Sequence, residues 1–177
     1  MNIFYLDIDP KLCAQAHCDR HVVKMILESH QLLSAAWYRN PDLIGAIEIY
    51  GKVLPSEVLT RPAFLSHPCS RWAAASSGNY YWLHSLAVAL LEEYAYRFGR
   101  SHASSEKIHL LEDVPFAVFE KEFSPPPCCM PAYIRDAVSD PVAAYRMYYL
   151  LEKRHLAKWT RRPAPQWWLE ALEKGTL

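Results

Sequence analysis

Residues 9–37 read DPKLCAQAHCDRHVVKMILESHQLLSAAW, and this stretch decides the fold. Asp9-Pro10 supplies an N-cap followed by proline at the first helical position, and no breaker follows until Asn40-Pro41. One long helix is predicted over residues 10–37. At 100° per residue, Cys13, His17, His21, Lys24, Glu28 and Gln31 fall within an arc of about 80°, while Val22, Val23, Met25, Ile26, Leu27, Leu32 and Leu33 nearly surround it. An ordinary surface helix has a wide face of interchangeable charges, whereas this seam is narrow and its groups are chemically distinct. One His, one Lys and one Glu within two turns can set one another's protonation, which marks Glu28, Lys24 and His21 as a candidate acid/base or Schiff-base group. The plain alternative is that the seam is the solvated side of the helix. A metal at His17 and His21, four apart, lacks the H-E-x-x-H core and would place Lys24 beside the ion, so no metal site is assigned.

Outward from this helix, the same punctuation recurs. Asn2 to Leu6 is a short apolar-aromatic lead-in. Asn40-Pro41-Asp42 starts a short helix that ends near Gly51, and a proline-broken loop follows. His67-Pro68 opens another helix, Ser76-Ser77-Gly78 interrupts it, and a long run over residues 79–98 stops at Gly99. The stretch 101–132 is broken by Pro115 and the rigid Pro125-Pro126-Pro127, leaving loop and a turn of helix. Ser139-Asp140-Pro141 starts a helix expected to reach Trp159, and Pro165-Gln166 starts a last one closed by Gly175. No alternating run is long enough to build a sheet. The expectation is one all-α domain over residues 1–177, a bundle of five to six helices with an extended lead-in.

The chain has 177 residues with 19 Lys+Arg against 19 Asp+Glu, a balance that argues against a general nucleic-acid coat. With 51% hydrophobic residues and only 5 Gly it reads as a well-packed domain. Its aromatic content, 6 Trp, 11 Tyr and 6 Phe, exceeds what a core of this size needs. The 5 cysteines form an odd set without a C-x-x-C pair, and no leader pattern opens the chain, so reducing cytosol is the expected compartment. No apolar run approaches the roughly 18 residues that span a bilayer, so no membrane partner is expected.

Other constellations are less singular. His67-Pro68-Cys69 superficially matches half of a zinc deaminase signature, but no second cysteine follows at the required spacing. His67, Trp72, Asn79, Tyr80 and Trp82 form a polar-aromatic group that reads as core with a wet rim or as a surface on which a base stacks. Glu93 and Arg97 lie four apart in the favourable order for an ion pair, and Arg97, Arg100 and His102 suit an anion or the helix's own last carbonyls. Residues 153–162 carry Lys153, Arg154, Lys158, Arg161 and Arg162 without an acid, a run that can track phosphates or simply be a solvated helix end. Glycine-rich phosphate loops, G-x-S-x-G and kinase motifs are absent, which excludes the readily recognised nucleotide and serine hydrolases, and no cofactor is called for.

The segments Leu6-Asp7-x-Asp9-Pro10, Asp19-Arg20-His21-Val22-Val23-Lys24-Met25-x-Leu27-Glu28-x-x-Gln31, His67-Pro68-Cys69-x-x-Trp72, Asn79-Tyr80-x-Trp82, Glu93-Tyr94-x-x-Arg97 and Tyr145-Arg146-x-Tyr148-Tyr149 resemble a family of small phage-borne and environmental proteins. More remotely, over the first 110 residues or so, the order of lead-in, Glu-bearing helix, His-Pro segment and E-x-x-x-R helix is similar to pyrimidine-dimer DNA glycosylases of the phage endonuclease V type. That resemblance implies a glycosylase/lyase in which an amine attacks the sugar C1′ and a carboxylate, here Glu28, manages the proton. The family uses the amine of a small residue exposed by removal of the initiator Met; Asn2 disfavours that removal, leaving Met1's own amine or Lys24. Gln31, His67, Trp72, Asn79, Tyr80, Arg97, Arg146, Tyr149, Lys153 and Lys158 are the expected substrate-binding residues. The expected partner is DNA or a small nucleotide. Two other functions fit: a non-catalytic module that sequesters a small nucleotide, and an interaction protein whose aromatics form a partner surface.

Overall fold

The computed structural model describes residues 1–39, 57–115 and 122–175. Among them the chain forms eight α-helices, one 3-10 turn and no strand, so the class is all-α. The helices are α1 (Pro10–Ala16), α2 (Asp19–Tyr38), α3 (Pro68–Ala73), α4 (Ser77–Phe98), α5 (Ser105–Leu110), α6 (Ala132–Arg135), α7 (Pro141–Glu152) and α8 (Gln166–Glu173), with the 3-10 turn at Arg154–Leu156. The helix expected after Pro41 lies outside the described residues. No helix among those described is long and apolar enough to cross a membrane.

The start signals act as local chemistry dictates. Asp9 accepts the Leu12 amide at 2.8 Å, Ser76 the Asn79 amide at 3.0 Å and Asp140 the Ala143 amide at 2.7 Å. Each such cap satisfies a donor the helix cannot, an effect of about 1 kcal/mol. Gly99 closes α4 in the left-handed region at φ 68°, its N–H bonded to Ala95 O at 2.8 Å. The central element is α4, against which α1, α2, α3 and α5 pack, while α7 joins α6 and α8. Leu83, Leu86 and Leu90 of α4 meet Met25, Ile26, Leu32 and Leu33 of α2 in the core.

The lead-in is not a strand but a buried extended thread. Ile3, Phe4, Tyr5 and Leu6 are all buried, so their backbone needs partners that no ladder supplies. Side chains provide them: the Leu6 amide reaches Cys13 Sγ at 3.4 Å, Cys13 Sγ donates to Phe4 O, and Arg146 Nε donates to Leu6 O at 2.9 Å.

Two sequence expectations are corrected. The single helix over residues 10–37 is broken, with His17 and Cys18 extended between α1 and α2. The break opens carbonyls that Arg97 takes from far along the chain: Nη2 bonds Gln15 O at 2.9 Å and Nη1 bonds His17 O at 2.8 Å. Trp159 Nε1 takes Ala16 O at 3.1 Å. The helix expected to reach Trp159 stops at Glu152 for the complementary reason: Lys158 O accepts the Asp19 amide at 2.8 Å, and Asp19 accepts the Thr160 amide and hydroxyl. Residues 157–160 are thus laid across the α1–α2 break instead of winding on. The split, together with the unforeseen single turn of α6, raises the helix count above the expected five to six.

Candidate functional site

Helical spacing on α2 places Lys24 and Glu28 one turn apart, and packing of α2 against α3 brings the lead-in between them. Glu28 is buried, yet both carboxylate oxygens are committed: Oε2 accepts the Asn2 amide at 2.9 Å and Oε1 lies 3.3 Å from Lys24 Nζ. The Lys24 side chain is 65% exposed, so the pair joins a buried carboxylate to an accessible amine. Asn2 is fixed further by its own side chain, whose Nδ2 donates to Cys129 O at 2.9 Å and whose Oδ1 accepts from Tyr145 Oη at 2.8 Å. Met1 is thereby held at the rim, its sulfur 3.8 Å from Ser70 Oγ.

A second group of side chains stands near the Met1 amine. His67, half-buried, caps α3 by accepting the Cys69 amide at Nδ1, 3.2 Å away. Cys69, the second residue of α3, is fully buried, and its Sγ lies 3.6 Å from the Sγ of half-buried Cys129. One ligand atom from each of His67, Cys69 and Cys129 falls within 4.8 Å of the other two. The hydrogen bond from Cys69 and then the Met1 amine pull the Cys129 thiol down to about 7 against burial, while the Cys69 thiol is pushed up. Burial first, then the Met1 amine, lowers His67, with Glu28 opposing.

His21 is separated from Lys24 and Glu28. Burial pushes its pKa down to about 3, with His17, Lys153, Lys24 and His155 adding to the effect, so the ring is neutral near pH 7. Its Nδ1 meets Tyr149 Oη at 2.5 Å, and it stacks on Phe4 with centroids 4.2 Å apart. His17 is buried beside it, Nδ1–H donating to Cys13 O at 2.7 Å, and burial lowers its pKa to about 4. Its Nε2 is the buried side-chain atom without a hydrogen-bond partner among the described residues. The polar seam is thus largely turned inward, with Val23 and Leu27 exposed instead.

The expected substrate-binding residues are dispersed. Arg97 was expected at a phosphate; it is buried, and all three guanidinium nitrogens are engaged by Glu93, Asp19 and two carbonyls, which leaves no face for a ligand. Tyr80, expected to stack on a base, is buried between Trp37 Nε1 and Leu111 O. Trp72 is buried and donates to Ser124 O, and Asn79 ties Trp72 O to Ser124. Tyr149 belongs to the His21 pair. Arg146 is tied to Leu6 O and to Asp7 at 3.1 Å and lies over Trp167. Lys153 lies over the Tyr148 ring, Lys158 is exposed, and half-buried Gln31 shares the α2 face of Glu28. Of the set expected to bind substrate, His67 and Gln31 stand nearest the Lys24–Glu28 pair by contact or by face.

Asn2, Cys129 and Tyr145 were not foreseen, and Cys69 was set aside. Their sequence signals are faint: a cap-and-proline start at His67-Pro68 and a three-proline strut that ends at Cys128-Cys129. Two open clefts of about 600 Å³ each lie elsewhere, one along α4 at His84 and Glu92 and one between Arg146 and α8, and neither is lined by Glu28, His67 or Cys129. Comparison with protein-family models, curated proteins and solved structures finds no match to this chain.

Proposed function

We propose that the protein processes DNA or its nucleotides as an N-glycosylase/lyase-like enzyme working at Glu28. One observation carries this reading: a buried carboxylate serves an exposed primary amine, Lys24, with one oxygen and the first backbone amide of the pinned lead-in with the other. Carbonyl-type chemistry by an amine needs such a pairing, because the ammonium must lose a proton before it attacks and a nearby group must carry that proton onward.

In the proposed step, Glu28 takes a proton from the Lys24 ammonium and the freed nitrogen lone pair forms a bond to C1′ of the sugar. The C1′–base bond breaks, and the base departs with the electron pair and the proton held by Glu28. Glu28 then removes a proton from the nitrogen now bound to C1′. It returns that proton to O4′ as the ring opens, leaving an iminium between nitrogen and C1′. The Met1 amine, near enough to His67 to lower its pKa, is the other candidate nucleophile. His21, neutral and hydrogen-bonded to Tyr149, stacks on Phe4 of the lead-in and carries no proton in this scheme.

Borohydride trapping on duplexes carrying an abasic site or a damaged base tests the reading. A covalent adduct is expected with the wild type, mapped by peptide mass to Lys24 or Met1 and lost in Glu28→Gln. No adduct on any substrate, or an adduct undiminished by Glu28→Gln, overturns it.

A further inference from the structure

We propose that His67, Cys69 and Cys129 form a binding site for one zinc ion, with three protein ligands and a fourth position left for water or a substrate atom. The donor set is the first reason: two sulfurs and one imidazole are soft-to-borderline ligands that select Zn²⁺ over Mg²⁺ or Ca²⁺. Geometry is the second. Two thiolates on a tetrahedral zinc, with Zn–S of about 2.3 Å, stand about 3.8 Å apart, and an imidazole nitrogen stands about 3.6 Å from each sulfur. The Cys69 and Cys129 sulfurs are already 3.6 Å apart, and the imidazole contributes an atom within 4.8 Å of both. That sulfur separation is far longer than the roughly 2.05 Å of a disulfide.

Placement is the third reason. Cys69 sits on α3, and Cys129 is fixed from three directions: its amide meets Tyr145 Oη at 3.3 Å, its carbonyl takes Asn2 Nδ2, and the proline strut precedes it. Tyr145 Oη also donates to Pro127 O at 2.8 Å. These partners hold the backbone of a ligand in the manner of outer-shell contacts in known metal sites. His67 Nδ1 accepts the Cys69 amide at 3.2 Å, so an ion takes Nε2 with that cap kept, or Nδ1 at the cost of the cap, about 1 kcal/mol. Binding releases the two thiol protons as the thiolates form. The site borders the Lys24–Glu28 pair but does not rest on the glycosylase reading, since metal uptake is read without any substrate.

The test uses the full chain, purified with a non-metal-binding reductant and stripped by a chelator, with Co²⁺ as the spectroscopic probe and Zn²⁺ as competitor. One equivalent of Co²⁺ is expected to bind with thiolate-to-cobalt charge-transfer absorption and the intense visible bands of a four-coordinate ion, all displaced by Zn²⁺. Cys129→Ser and His67→Gln, both at half-buried positions, are expected to weaken Zn²⁺ binding by more than the roughly 10–100-fold that loss of an outer-shell partner causes. The Cys129→Ser variant also loses much of the charge-transfer band. Cys128→Ser is expected to change neither. Cys69→Ser is the same test at a buried position, with a melting curve to confirm folding. Absence of the charge-transfer band, undiminished binding in Cys129→Ser, or equal loss in Cys128→Ser overturns the proposal. So does a count of three free thiols in protein isolated without reductant, which would mark a Cys69–Cys129 disulfide as the resting state.

Discussion

Two carboxylates on two helices, Glu93 and Glu28, are built into opposite kinds of surroundings. Glu93 is buried on α4 and answered by two guanidiniums, Arg97 at 2.9 Å and Arg162 at 2.5 Å, with Asp19 completing the group. Every strong donor there is fixed by a planar fork or a carbonyl, and the network ties α1, α2, α4 and the segment after α7 together. Glu28 is equally buried but is answered by a flexible, largely exposed lysine and one backbone amide. The first arrangement has no freedom to exchange a proton or admit a ligand. The second keeps an accessible amine against a carboxylate. Burial alone therefore does not mark an acid as structural; the identity and freedom of its partner decide whether it can exchange a proton.

The sharpest way to break this comparison is Arg97→Met. It leaves Asp19 and Glu93 short of a countercharge in a buried setting and uncaps two carbonyls, and a loss of about 3–5 kcal/mol in unfolding free energy is expected from urea titration. A loss below about 1 kcal/mol would mean that the network is not the structural counterpart of the Glu28 site.

Per pH unit, the two buried histidines give the next largest effect. His17 and His21 have folded pKa values near 4 and 3 against about 6.5 when unfolded, so the unfolded chain binds more protons between those limits. Stability is therefore fully present above pH 6.5 and falls as pH drops, at about 1.4 kcal/mol per pH unit for each histidine, until the folded values are reached. Melting temperatures measured from pH 7 to pH 4.5 check this, and His17→Phe is expected to reduce the slope. A slope unchanged by that substitution would remove His17 from the account.

Tyr149→Phe leaves His21 Nδ1 without its partner and is expected to cost about 1–3 kcal/mol in the same titration. Glu28→Gln completes the comparison at the small end. The amide oxygen can still accept the Asn2 N–H, and the lost pair with an exposed lysine accounts for about 1 kcal/mol or less. Under the proposed function, its main effect is expected in the trapping experiment. A large stability loss in Glu28→Gln with adduct formation preserved would assign Glu28 to the scaffold alongside Glu93.

Much of the fold was legible because it is written locally. Asp9-Pro10, His67-Pro68, Asp140-Pro141 and Gly99 each mark a helix end with residues a few positions apart, and each acts where the pattern placed it. The break at His17-Cys18 was not legible, because helical periodicity continues through it and Arg97, which takes the carbonyls it opens, lies 80 residues from His17. The same limit applied at the site. The Lys24–Glu28 pair follows from i,i+4 spacing, whereas Cys69 and Cys129 are 60 residues apart and meet only through tertiary packing. For the aromatic group the sequence leaves two readings open, core or stacking surface, and Trp72, Tyr80 and Trp82 take the first: they are spent on the interior, each with its polar atom bonded to a main-chain carbonyl.

The buried lead-in also bears on the order of assembly. Asn2 and Leu6 complete their bonding with Tyr145 and Arg146, which are synthesised 143 and 140 residues later. At about 5–20 residues per second of translation, the thread waits on the order of ten seconds before its last partners exist. Through that interval Ile3, Phe4, Tyr5 and Leu6 lack part of their final enclosure, and the nascent chain must be kept from burying them elsewhere. Closure of this core is therefore a late event, governed by long-range contacts rather than by the fast local helices around it.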